Sequence, residues 1–213
     1  MKTELLIEML ARGAHQEKRI SPWQILYLGI GSGLVLSMML MSVTLRVNAE
    51  LTALLVKPNF LVKIAYISTF FLIAFISLIA VARPGAKVNV HLWRLTLPFI
   101  AITCISLPPM LDASPALRAS LIFGETWSVC AVLIALLSLP VFALTLWGMK
   151  ELAPTNLGLA GAVSGLLSGA AGALVYCIHC PEVEIPFVAI WYTLGMMIPM
   201  LLGYFLGPRV LRW

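Results

Sequence analysis

The chain has 213 residues, of which 61% are hydrophobic and only 11% charged, with a mean hydropathy of +1.01. Those values exclude a water-soluble domain and describe an integral membrane protein. The net charge of +5 does not point to nucleic acid, because the basic residues are scattered among short loops with no basic run and no aromatic stacking platform.

Residues 1–24 form a polar amino-terminal segment carrying Glu8, Arg12, Gln16, Glu17, Lys18 and Arg19, a composition that argues against a cleavable signal peptide. Thr3 is placed to cap a short helix in which Leu5, Leu6, Met9 and Leu10 make an apolar stripe. Glu4, Glu8 and Arg12 line another face at i, i+4 spacing. A helix this short is marginal alone in water. It gains order by docking in a protein groove or by lying on the membrane surface, and the residues alone do not choose between the two.

Residues 25–213 hold six apolar stretches, near 25–45, 61–82, 92–111, 127–147, 157–177 and 186–206. Each has the roughly 20 residues that a helix needs to cross about 30 Å of hydrocarbon. Backbone amides in lipid have no water to bond, so each stretch is expected to be helical, and the fold class is an all-α bundle of six transmembrane helices. An even number of spans puts both termini on one side. With the termini inside, that side holds Lys2, Arg12, Lys18, Arg19, Arg83, Lys87, Arg94, Lys150, Arg209 and Arg212, against Arg46, Lys57, Lys63 and Arg118 outside. The excess of basic residues predicts cytoplasmic termini, and Trp23, Trp93, Trp127, Trp147 and Trp213 fall near span ends as interfacial anchors. Lys63 and Arg94 are close enough to span ends to snorkel.

Within the spans, Pro98, Pro108, Pro109, Pro140 and Pro199 are expected to kink or break helices. Gly158, Gly161, Gly165, Gly169 and Gly172 recur at threes and fours, with Ser164 and Ser168 beside them, and make one smooth face on which another helix can pack closely. Cys104, mid-span, reads as a small apolar filler.

The reactive side chains gather in Tyr176-Cys177-Ile178-His179-Cys180-Pro181-Glu182-Val183-Glu184, between the last two spans. Two thiols, an imidazole and two carboxylates within nine residues can bind a soft metal or respond to oxidation. The predicted topology puts this loop outside, with Cys130 one turn into the fourth span at the same end, where an oxidising compartment permits disulfides. Cys180, His179 and Glu182 supply soft and borderline ligands, Cys177 is a possible accessory, and Cys130 completes either a four-ligand site or a disulfide. Bridging Cys130 to Cys180 closes a loop of about fifty residues, worth roughly 2 to 4 kcal/mol. Inverting a two-state equilibrium from 1:99 to 99:1 takes about 5.5 kcal/mol, so one bridge biases a balanced bundle without overturning a fixed one.

Several segments together resemble the NrsF family of six-span bacterial inner-membrane anti-sigma factors. They are Met1-Lys2-Thr3-Glu4-Leu5-Leu6, Ala82-Arg83-Pro84-Gly85, Gly124-Glu125-Thr126-Trp127-Ser128-Val129-Cys130, Leu159-Ala160-Gly161, His179-Cys180-Pro181-Glu182, Trp191-Tyr192 and Leu206-Gly207-Pro208-Arg209. The resemblance implies that the amino terminus binds an extracytoplasmic-function sigma factor and keeps it from RNA polymerase, and the helix faces read above make Glu4, Leu5, Leu6, Glu8, Met9 and Leu10 the candidate docking residues. It also implies that Cys130 and Cys180 are paired periplasmic cysteines that perceive heavy-metal or oxidative stress. No cofactor is required on this reading beyond transient heavy-metal ligation, the partners are a sigma factor and the bilayer, and no nucleic acid is bound directly. The sulfurs are expected to meet the medium outside.

Two other readings use the same residues. A small transporter or metal exporter would put Cys180, His179 and Glu182 on a permeation route, although no Asp, Glu, Lys or Arg falls mid-span, where ion-coupled pathways need them. A membrane thiol oxidoreductase would use Cys177-x-x-Cys180, but no strand-helix unit surrounds it. The chain has no phosphate loop, Ser-His-Asp arrangement or paired internal carboxylates, and an enzyme is not expected.

Overall fold

A computed structural model describes residues 21–83 and 93–212. The predicted amino-terminal helix, with Glu4, Leu5, Leu6, Glu8, Met9 and Leu10, lies outside the described residues, as does Trp213. Among the described residues there are helices and no strands, and six helical spans are long and apolar enough to cross a membrane.

Helix α1 (Pro22–Thr44) begins where Pro22 pre-sets the first turn and the Gln24 side chain accepts a hydrogen bond from the Ser21 backbone N–H at 3.0 Å. A single turn, α2 (Leu51–Leu54), leads to α3 (Pro58–Ala82), again opened by proline. The 3₁₀ turn Trp93–Leu95 precedes α4 (Thr96–Asp112). Short α5 (Pro115–Phe123) and long α6 (Trp127–Glu151) together make the fourth span. Helix α7 (Leu157–Tyr176) is capped by the Asn156 side chain, which accepts from the Leu159 N–H at 3.1 Å. The last span, α8 (Ile185–Val210), includes a π-helical segment at Val188–Tyr192. Five of these spans match the predicted stretches to within about four residues; the fourth runs Pro115–Glu151 where 127–147 is expected, because α5 precedes α6.

The bundle is organised around α7, 78% of whose most apolar window is buried, whereas α4 lies at the periphery with 17%. The reason is the predicted small-residue face. Alanine-sized carbons at Gly161 and Gly165 would strike the carbonyls of Gly203 and Pro199 on α8, and one at Gly172 would come within 2.7 Å of the Ile134 carbonyl on α6. Backbones approach this closely only where side chains are missing, which is how helices gain packing energy in lipid. A second close pairing, between α1 and α6, rests on Gly33 and Gly148, where an added Cβ would lie 2.7 Å from Val141 Cα and 2.8 Å from Leu26 Cα. Ser37 fastens it by donating to the Leu137 carbonyl at 2.6 Å. Large apolar residues such as Leu28, Val43, Leu72, Leu111 and Phe205 face outward, the inverse of a water-soluble surface.

Two expectations change here and a third narrows. The helical path is unbroken at Pro108, Pro109, Pro140 and Pro199, and a π-helical segment lies at Val188–Tyr192, which contains no proline. Cys104 is exposed on the apolar surface and fills no core space, because α4 turns that face away from the bundle. Lys63 does not snorkel: it is 1% exposed, and its ammonium points inward to carbonyls at the cysteine end of the bundle. Arg94 is exposed as expected.

Candidate functional site

The two sequence signatures that hold Cys130 and Cys180 pack against each other at one end of the bundle. Gly124 ends α5 with φ +52°, a left-handed conformation natural to glycine, and any side chain there would collide with the Glu182 carboxylate at 2.8 Å. Glu182 Oε1 accepts the Glu125 backbone N–H at 2.8 Å, and Thr126 Oγ1 lies 3.9 Å from Cys180 Sγ. Helix α6 then begins at Trp127 and carries Cys130 inward by one turn, where its thiol lies close enough to the Cys180 sulfur for the two to interact.

Aromatic side chains and one cation enclose this pair. Tyr176 and Tyr192 are buried with ring centroids 5.9 Å apart, and the Tyr192 hydroxyl, which has no conventional hydrogen-bond partner, lies beside the sulfurs of Cys177 and Cys180. Lys63 Nζ donates to the Glu182 carbonyl at 2.8 Å and to the Cys180 carbonyl at 3.3 Å, and it sits 4.7 Å from the Tyr192 ring centroid. Trp191 Nε1 donates to the Ile122 carbonyl at 2.9 Å, and its ring meets Trp127 at 5.3 Å, closing the site laterally. The π-helical segment holds both Trp191 and Tyr192, one turned to α5 and the other to the thiols.

Burial alone would raise the pKa of a thiol. For Cys180 the interaction with the Cys130 thiol outweighs burial, and the nearby Lys63 charge adds to it, so its pKa is lowered. For Cys177 burial outweighs the lowering effects of the Lys63 charge and the Tyr192 hydroxyl and pushes it up to about 11. The two cysteines of the Cys177-x-x-Cys180 pattern are thus chemically unlike, and Cys180 is the more thiolate-prone of the two.

Cys130, Cys177 and Cys180 do share one end of the bundle, but Cys130 and Cys180 are 0% exposed, which corrects the expectation that their sulfurs meet the medium. The reason is the loop 177–184, which is folded down over them rather than standing free. The predicted four-ligand set does not assemble. His179 is turned away, with Nδ1 3.0 Å from the Arg46 carbonyl, and Glu182 is engaged by Glu125. Among the described residues no three of His, Cys, Asp and Glu are close enough to hold an ion. What remains is a two-sulfur site of free thiols, whose chemistry suits a soft thiophilic ion or a disulfide.

Sequence reading missed Lys63, Tyr176 and Tyr192. A signal for Lys63 was present, since it is the one charged residue of α3.

The fold and site define a six-span helical membrane protein with a buried, paired dithiol at one end. The chain belongs to the NrsF family, described as negative regulator of sigma F, whose pattern matches residues 10–213. It is 44% identical over 213 residues to the probable anti-sigma-F factor NrsF of Azospira oryzae, with the full length of both chains covered. It is 33% identical over 215 residues to the anti-sigma-F factor NrsF of Caulobacter vibrioides, again over the whole of each. No solved structure matches the chain.

Proposed function

We propose that this protein is an anti-sigma factor that holds an extracytoplasmic-function sigma factor of the sigma F type at the bacterial inner membrane and releases it under heavy-metal or oxidative stress. Its termini are cytoplasmic, the amino-terminal segment holds the sigma factor, and the dithiol lies at the periplasmic end. The observation that carries the sensing part is the contact between Cys130 and Cys180, from different helices and fifty positions apart, in a pocket that sequesters both sulfurs. Joining them, by an S–S bond or a bridging soft ion, fixes α6 to the loop between α7 and α8 and biases the bundle by about 2 to 4 kcal/mol. Release then follows from the different affinities of the two states for the sigma factor.

The role is regulatory, with the protein as a switch and no substrate turned over. Replacing Cys130 and Cys180 together with serine is expected to leave resting repression intact and to abolish induction by cadmium or by a thiol oxidant, read with a sigma F-dependent reporter. Normal induction in the double variant sinks the sensing assignment. Orientation has its own test. Lys57, exposed in the turn between α2 and α3 at the cysteine end, is expected as Lys57→Cys to react with an impermeant maleimide in intact spheroplasts. Labelling only after lysis reverses the topology.

A further inference from the structure

Cys180 is fixed at its backbone from two directions. Its N–H donates to the Tyr176 carbonyl at 3.0 Å, which continues the end of α7. Its carbonyl accepts from Lys63 Nζ at 3.3 Å, and the same ammonium takes the Glu182 carbonyl at 2.8 Å. Lys63 thus reaches from α3 across the pocket and ties the peptide groups on both sides of Pro181. It runs between Tyr192 and Phe60, 4.7 and 5.7 Å from their ring centroids, and is 1% exposed. The other attachments of this loop are His179 to Arg46, the Ile178 carbonyl to the Asn48 N–H, the Glu182 carboxylate to Glu125 and, on Cys180 itself, Thr126 Oγ1 at 3.9 Å from the sulfur, so Lys63 is the side chain that holds the Cys180 carbonyl.

A buried ammonium is costly, and an apolar side chain of similar length is often no worse for stability. Packing therefore gives no reason for a lysine here. Directed donors do: three N–H bonds on one flexible stem can gather two carbonyls that no backbone partner reaches.

We propose that Lys63 is the positioning residue of the dithiol, holding the carbonyl side of Cys180 so that its sulfur stays against Cys130. The inference rests on the proposed sensing role for its biological meaning, but the positioning itself is measurable without any sigma factor. Two thiols become a disulfide when both S–H bonds break and the S–S bond forms, with two electrons and two protons passing to an oxidant. Diamide, a diazene, accepts them and becomes the hydrazine. The rate at which Cys130 and Cys180 join depends on how well the second sulfur is held in line with the first.

The experiment uses membranes containing the full-length chain, treated with diamide and quenched by acid, with the Cys130–Cys180 peptide pair quantified by non-reducing mass spectrometry. At equal abundance, Lys63→Met is expected to slow bridging about tenfold, and Lys63→Arg, which keeps the charge and the donors, to stay within about threefold of the unaltered chain. Bridging in Lys63→Met at the unaltered rate overturns the proposal. So does equal slowing in Lys63→Met and Lys63→Arg, because that marks a space-filling role. If Lys63→Met does not accumulate, Lys63→Gln is read against the same limits. The sigma F-dependent reporter in the Cys130→Ser/Cys180→Ser chain separates the two readings. A lysine-dependent bridge with a cysteine-independent reporter sinks the sensing role and leaves the positioning role standing, whereas the reverse pattern removes Lys63 alone.

Discussion

Deleting residues 2–20 is expected to release the sigma factor permanently, with the sigma F-dependent reporter at its induced level without stimulus and no further rise when metal or oxidant is added. The segment carries Leu5, Leu6, Met9 and Leu10 at helical spacing, and burying such side chains is worth about 1.5 to 3 kcal/mol each before costs. Ordering a short segment and losing free motion on association consume much of that sum. A net loss of about 4 kcal/mol still weakens binding roughly a thousandfold, enough to empty the complex. The remaining chain is expected to accumulate in the membrane as before, because the contacts described for α1 to α8 are made among residues 21–212. Leu6→Glu with Leu10→Glu is the gentler version, and co-purification of the sigma factor with each variant is the direct measurement. Undiminished repression by the truncated chain puts the docking surface elsewhere.

Substituting Gly165 with leucine is expected to prevent the bundle from assembling. The atom that a Cβ would meet is the Pro199 carbonyl, with Met200 Cα at 2.8 Å, and both are backbone, so neither can swing aside as a side chain would. Helices α7 and α8 must separate, and the small-residue contact between them from Gly158 to Gly169 loosens as a whole. Overpacking in a core costs about 1 to 3 kcal/mol even where side chains can adjust, and a backbone obstacle lies at or above the upper end. The structure also ranks the glycines. Alanine at Gly161 or Gly165 is expected to lower membrane abundance and thermal stability in detergent markedly. Gly158→Ala costs little, because its nearest neighbour is the Tyr204 ring at 3.4 Å. Gly31→Ala is neutral, since nothing lies within 4 Å. Equal tolerance at Gly31 and Gly165 removes the packing account.

The two classes of variant fail at different levels. The truncation is expected to leave a folded bundle without its output. The glycine change removes the frame that brings α6 and the 177–184 loop together, so it is expected to lose the dithiol contact along with stability.

Chain length and hydropathy by themselves determined the six spans and their order, because lipid admits only backbones that satisfy their own hydrogen bonds and each span must therefore be a helix of sufficient length. They also determined the packing face of α7, since glycine spacing on a helix is a local property. The motifs around Cys130 and Cys180 were legible as separate signatures. What tertiary structure alone decided is that the signatures meet, that both sulfurs are covered, and that His179 and Glu182 face Arg46 and Glu125 in place of a shared ion. It also decided the role of Lys63, which in sequence is a lone cation near a span end and in space is the donor that ties the Cys180 loop to α3. The physical reason is range. Helix formation and face periodicity are set by residues within a few turns, whereas the environment of a side chain at a loop is set by whichever helices the packing brings beside it.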